Sequence, residues 1–163
     1  HLEHGDRRCR HGCARRMKLA LDTNVVMELL HWQDPRSTPL MGAIDAGHVH
    51  CFTDAGCLAE LQRVLAYPQF GRDEAAQRVL LDRYRGFVTE TPPGPVAATL
   101  PRCRDGDDQK FMELAARCGA DLLITRDREL LKLARSRRHP APFAIVTPEQ
   151  AIATLLTAKE SAT

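Results

Sequence analysis

No apolar run in this 163-residue chain approaches the length of a membrane span, and the charged first segment contains no signal-peptide apolar stretch. The expectation is a soluble, cytoplasmic protein with no membrane contact. A surplus of one charge is missing too. The formal net charge is +2, and five arginines (Arg7, Arg8, Arg10, Arg15 and Arg16) stand against only Glu3 and Asp6 in residues 1–16. The rest of the chain is therefore nearly neutral, which removes overall basicity as an argument for nucleic acid binding. Internal repeats, linkers and a second domain are absent as well, so one core suffices.

The cysteines do not make a recognisable framework. Six are present (Cys9, Cys13, Cys51, Cys57, Cys103 and Cys118), but without a secretion signal they read as small buried thiols in a reducing compartment. Cys9, His11 and Cys13, with His4 nearby, lack the spacing of a zinc module. Met17 is followed at once by an apolar strand, so residues 1–16 read as a leader or a vector-derived remnant. The expected domain is 17–158, with 159–163 as a tail.

What is there is an alternation of short apolar runs and amphipathic stretches. Leu19-Ala20-Leu21 predicts a buried strand ending at Asp22, then a helix with Val25, Val26, Leu29 and Leu30 on one face. His31–Pro39 reads as a loop, Leu40–Ala46 as a second helix closed by Gly47, and His48–Thr53 as a strand. Asp54 can cap a helix bearing Cys57, Leu58, Leu61, Val64 and Leu65. Tyr67-Pro68 ends it, and Asp73 to about Arg85 makes the next. Phe87-Val88-Thr89 is a weak strand, and the proline-rich stretch Thr91–Pro101 is a loop. A strong helix over about Asp107–Cys118 is stopped by Gly119. Leu122–Ile124 is a strand, Asp127–Ala134 a helix, Phe143–Val146 a strand, and Pro148 opens a last helix to about Thr157. Such alternation predicts an α/β fold whose mostly parallel sheet is covered on both faces.

In such sheets active sites lie beyond the carboxyl ends of the strands. Asp22 follows the first strand and Asp127 follows Leu122–Ile124, so both carboxylates leave one sheet edge. Asp105, Asp107 and Asp108 stand where the strong helix begins. Glu60 lies about 40° outside the apolar arc of its helix, at the edge of the core. Each acid also has a plain structural use. Asp22 and Asp127 can cap the helices they precede, the acids at 105–108 can complement a helix dipole, and Glu60 can pair with Arg63. Capping alone does not place acids from separate segments at one rim. Clustered carboxylates repel, and hard divalent cations relieve that repulsion. A cation so held lowers the pKa of bound water and stabilises charge on a phosphoryl oxygen. Without a His or Cys ligand, the set points to phosphodiester chemistry.

Four stretches carry a resemblance: Leu-Asp-Thr-Asn-Val at 21–25, Ala-Glu-Leu-Gln-Arg-Val-Leu at 59–65, Arg-Asp-Gly-Asp-Asp-Gln-Lys-Phe at 104–111, and Gly-Ala-Asp-Leu-Leu-Ile-Thr-Arg-Asp at 119–127. In this order, from Lys18 to about Leu156, the chain resembles the PIN-domain family, and most nearly the branch described as toxins of toxin–antitoxin systems. The resemblance implies a three-layer α/β/α fold and Mg²⁺- or Mn²⁺-dependent cleavage of single-stranded RNA. It places the family's acids at Asp22, Glu60, Asp108 and Asp127. Of these, Asp22, Asp108 and Asp127 would hold a metal, with Glu60 ligating directly or through water. Asn24 and Thr125 would support them, and Asp105 would ligate or orient. Many relatives carry an acid where this chain has Gln109, which implies weaker binding of a second metal. An antitoxin protein and a homodimer are expected partners.

The basic run beginning at Arg126, Arg128 and Lys132 can steer an RNA backbone, although a solvated helix face is the commoner meaning of such a run. Two other readings stand beside the nuclease. One is a PIN-like protein-binding module with little or no nuclease activity, which loss of an acid would favour. The other is a phosphoryl-transfer protein of another doubly wound family. It would want a dedicated Lys after the Leu122–Ile124 strand, and none is there.

Overall fold

Short runs of three to five residues, most of them largely apolar and too short for helices, assemble the sheet: β1 (Met17–Leu21), β2 (Val49–Thr53), β3 (Val88–Glu90), β4 (Leu122–Ile124) and β5 (Ala144–Val146). The structure is a computed structural model that describes residues 15–96 and 99–162, with side chains to residue 158. The strand order is β3-β2-β1-β4-β5, and every pairing is parallel. Leu19 stands opposite Cys51 on one side and Leu122 on the other, and Leu21 stands opposite Ile124.

Two layers of helices cover the sheet because alternate strand residues point to opposite faces. Leu19, Leu21, Leu122 and Ile124 pack with α1 (Thr23–Met27), α2 (Thr38–Asp45), α3 (Ala55–Leu65), α4 (Glu74–Phe87) and α7 (Pro148–Ala162). Ala20, Leu123 and Ile145 pack with α5 (Gly106–Cys118) and α6 (Arg128–Leu133). The fold is thus a three-layer α/β/α sandwich around a parallel sheet, as expected.

Aspartate starts most of these helices. The side chains of Asp22, Asp54, Asp73, Asp105 and Asp127 accept from backbone N–H groups in the first turns of α1, α3, α4, α5 and α6. Each such cap stabilises by about 1 kcal/mol. Gly119 at the end of α5 has φ +68°, which glycine adopts without penalty.

The stretch 31–39 differs most from its sequence reading. Helix α1 continues as a π-helical turn over Glu28–Trp32, Pro35–Ser37 is a 3-10 turn capped by Asp34, and α2 already begins at Thr38. The buried Glu28 explains the change. Its carbonyl accepts from Asp34 N at 3.0 Å and from Gln33 N, and its carboxylate accepts from the Ser37 hydroxyl. Gln33, at φ 50°, turns the chain there. The last helix also runs beyond Thr157, to Ala162.

Cys51, Cys57 and Cys103 are buried free thiols and Cys118 is half-buried. Burial pushes the Cys51 thiol up to about 12, so it is inert as a nucleophile. The expected leader and the Cys9, His11, Cys13 and His4 group lie outside the described residues, apart from Arg15 and Arg16. Among the described residues no helix is long and apolar enough to cross a membrane.

Candidate functional site

The order of strands in the sheet reverses between β1 and β4. From β1 the chain proceeds to β2 and β3 on one side, and β4 and β5 complete the other. A crevice opens at such a switch point beyond the carboxyl ends of the strands. Asp22 follows β1 and Thr125 follows β4 at this position, and Asp22 N donates to Ile124 O at 3.1 Å.

Asp22 is buried, and its two oxygens have separate tasks. Oδ1 caps α1 by accepting from Asn24 N at 3.3 Å, and Oδ2 accepts from Thr125 Oγ1 at 2.7 Å. Burial pushes its pKa up, the bonds to Thr125 and Asn24 oppose this, and the charges of Asp127 and Glu60 raise it further. Asp127 caps α6 through Oδ1, which accepts from Glu129 N at 2.8 Å. Thr125 Oγ1 also accepts from Asp127 N at 3.0 Å. The fully buried Thr125 hydroxyl therefore ties both aspartates together.

Asp108, half-buried in the first turn of α5, completes a set of three aspartates. Burial, a hydrogen bond with Asp127 and the charges of Asp127, Asp22 and Asp105 raise its pKa to about 7. Asp105 caps α5 by accepting from Asp107 N at 2.9 Å and is exposed. It contributes charge to the cluster and positions the helix start.

Glu60 is at the core edge, as its helical angle predicts, with 15% of its side chain exposed. Its partners are the Thr23 hydroxyl and Lys110, whose Nζ lies 2.5 Å away. Arg63, the partner suggested by spacing, is farther at 3.9 Å. Glu60 thus stands beside the aspartates, drawn toward an ammonium. Asn24 is exposed and contributes its backbone N–H to Asp22.

Sequence reasoning missed Thr23, Lys110 and Glu28. Glu28 sits among Val25, Val26, Leu29 and Leu30, and a lone acid in an apolar face was the available signal. Its partner is Arg126, with Nε–Oε1 at 2.5 Å, and Arg126 also reaches Glu149 at 2.6 Å. Arg126 is therefore occupied by two carboxylates within the fold. Of the basic run, Arg128 and Lys132 remain exposed, the latter 3.2 Å from Glu129. Gln109 is buried and used locally: its Oε1 accepts from Cys103 N at 2.6 Å and its Nε2 donates to Pro101 O at 3.3 Å. Asp54, the acid after β2, is likewise engaged, by Cys57 N and by Arg117 at 3.1 Å.

An oxygen-only donor set whose members raise one another's pKa fits a hard divalent cation. Among the described residues no group of three or more His, Cys, Asp or Glu stands in an arrangement that could hold a metal ion.

The protonation of Asp108 makes stability depend on pH. The folded state keeps this proton up to about pH 7, whereas the unfolded chain releases it near the ordinary value of 3.8. The native state therefore binds more protons across this window, and stability falls as pH rises through it. Asp22, also raised, acts in the same direction. Because Asp108 is open to water, only part of the shift is felt, about 1–2 kcal/mol. Metal-free protein should melt roughly 3–6 °C lower at about pH 8 than at about pH 5. Calorimetry in EDTA should show this difference shrinking in Asp108→Asn, which separates it from the histidines.

An open parallel α/β sheet with acids at its switch point suits phosphoryl chemistry of more than one kind. The sequence profile of the PIN domain matches residues 18–129, and the chain belongs to the PIN-domain family. PIN domains are generally nucleases and typically use divalent metals. A solved structure, the crystal structure of PAE2754 from Pyrobaculum aerophilum, is similar over 91% of this chain and 95% of its own, at 17% identity and TM-score 0.48. Among curated proteins none matches the chain in sequence.

Proposed function

We propose that this chain is a Mg²⁺- or Mn²⁺-dependent endoribonuclease that cleaves single-stranded RNA in the cytoplasm as the toxin of a toxin–antitoxin pair. The observation that carries the reading is the placement of Asp22 and Asp127 just beyond β1 and β4 at the switch point, tied together by the Thr125 hydroxyl, with Asp108 raised in pKa by burial and by the nearby charges of Asp127 and Asp22. Asp22 feels the charges of Asp127 and Glu60, and Asp108 those of Asp127, Asp22 and Asp105, which favours a nuclease over a binding module that has lost its chemistry.

Asp22, Asp108 and Asp127 would hold the cation, with Glu60 at the margin. When bound, the cation supplies an activated water and charge stabilisation at the phosphate. Thr125 keeps Asp22 aimed by donating to one oxygen, while Asn24 N holds the other. Thr23 and Lys110 keep Glu60 at the rim. Asp108 must release its proton for the set to take a cation, so binding should strengthen as pH rises through about 7. Arg128 and Lys132 are exposed cations of the basic run available to a backbone approaching Asp127. An antitoxin covering this acidic crevice, and a homodimer, belong to the same reading.

The test is cleavage of a mixed single-stranded RNA pool with Mg²⁺, Mn²⁺ or EDTA, with calorimetric titration of the same cations. Cleavage that EDTA abolishes is the expected result. A pool left uncut, together with no metal binding by calorimetry, would sink the nuclease reading and leave the protein-binding module.

A further inference from the structure

Large aromatic side chains are scarce in this protein, yet several gather at one exposed place. Trp32, the sole tryptophan in the sequence, is 54% exposed and Tyr67 is 40% exposed. Phe70 joins them, its ring centroid 5.7 Å from Trp32 and 6.3 Å from Tyr67, the latter pair nearly parallel at 14°. His31 packs edge-on to both Trp32 and Phe70, at 5.6 and 5.2 Å. This group is held in place. Arg72 Nε donates to His31 Nδ1 at 2.8 Å, and Arg72 NH1 donates to Ala76 O at 3.0 Å. That bond requires an unprotonated Nδ1, which keeps the ring neutral and the patch apolar at its centre.

The position of the cluster relative to the acids gives it meaning. Thr23, at the start of α1, bonds to Glu60 in the middle of α3. Farther along the same two segments, Trp32 meets Phe70. The two contacts lie nine residues apart on the first segment and ten on the second, so the segments run side by side in one direction. Along the first segment, α-helical to Met27 and π-helical to Trp32, nine residues place the aromatic cluster on the order of 10 Å from the Thr23–Glu60 contact. That is the reach of a few nucleotides. Arg63, exposed on α3 between Glu60 and Tyr67, places a cation along the path.

We propose that Trp32, Tyr67 and Phe70 form a base-stacking subsite that holds single-stranded RNA a few nucleotides from the cleaved bond. This rests on the nuclease reading above. Exposed rings fixed by their neighbours offer π faces to bases of any identity, and a nearby guanidinium meets the phosphate between them. Such a subsite binds without selecting sequence. It also discriminates against duplex RNA, whose bases are already stacked.

Trp32 reports on its own occupancy, since no other tryptophan contributes to the emission. The full chain carrying Asp22→Asn, kept in EDTA, is titrated with a labelled mixed-sequence RNA of about 12 nucleotides. A matching abasic ribose–phosphate oligomer is the control. Quenching by the RNA and not by the abasic strand is expected. Trp32→Ala in the same background should raise Kd roughly 5- to 100-fold, with Trp32→Phe recovering most of it. With metal and Asp22 intact, Trp32→Ala should raise KM for the long RNA and leave kcat and dinucleotide cleavage alone.

Absence of quenching, or equal Kd for wild type and Trp32→Ala, would overturn the subsite. So would a Trp32→Ala chain whose oligomeric state changes while its RNA affinity does not, which would mark a protein interface. The two readings fail separately: EDTA-sensitive cleavage indifferent to Trp32 removes only the subsite, and Trp32 quenching without cleavage removes only the nuclease.

Discussion

An Asp22→Asn chain should lose RNA cleavage by about 10³-fold, the loss of several kcal/mol of transition-state stabilisation. Its metal-free melting temperature should hold or rise by a few degrees near neutral pH. The two halves of this result come from one side chain. Asp22 is buried, and burial together with Asp127 and Glu60 opposes its charge. The fold therefore carries a carboxylate that it would be more stable without. Asparagine can still accept from Asn24 N and meet the Thr125 hydroxyl, so the cap on α1 persists. Parallel rate measurements and thermal melts in EDTA check it. An Asp22→Asn chain that melts well below wild type would show that the charge itself holds the fold together.

Arg126→Ala should produce the largest loss of stability, about 3 kcal/mol. The guanidinium bridges Glu28 on the π-helical turn and Glu149 in the first turn of α7, and burial leaves the Glu28 side chain 8% exposed. Removing Arg126 strands Glu28 with the Ser37 hydroxyl as its remaining partner. Desolvated charge without a counter-charge is the costly case, much more than loss of a surface pair. For a chain of this length the melting temperature should fall by roughly 6–12 °C. Adding Glu28→Gln should restore part of it, since the buried charge goes too. If instead Arg126→Ala melts like wild type and loses RNA affinity, the arginine serves the substrate and the ion pairs are incidental.

Much of the fold was open to sequence reasoning because local chemistry fixes it. Leu122–Ile124 is apolar throughout because β4 is buried on both faces. Asp54, Asp73, Asp105 and Asp127 announce helix starts because a carboxylate can reach the first-turn amides. That Asp22 and Asp127 would meet was legible because strand ends in a parallel sheet share an edge.

What escaped depends on partners far apart in sequence. Glu28 and Arg126 are 98 positions apart, and no periodicity joins them. Lys110 reaches Glu60 from another helix, and spacing within α3 suggested Arg63 instead. The stretch 31–39 looked like a loop because Asp34-Pro35 interrupts it. Tertiary bonds to Glu28 organise it into turns that no local preference specifies.

The doubled duty of the aspartates has a practical bearing on how a silent form of this protein should be made. Asp22 and Asp127 each commit one oxygen to a helix start, so alanine at either position would fray a helix as well as empty the cluster. Lost activity would then say little about chemistry. Asparagine keeps the amide-facing oxygen, and a chain silenced this way should remain a faithful trap, able to hold uncut RNA from a cell extract for identification.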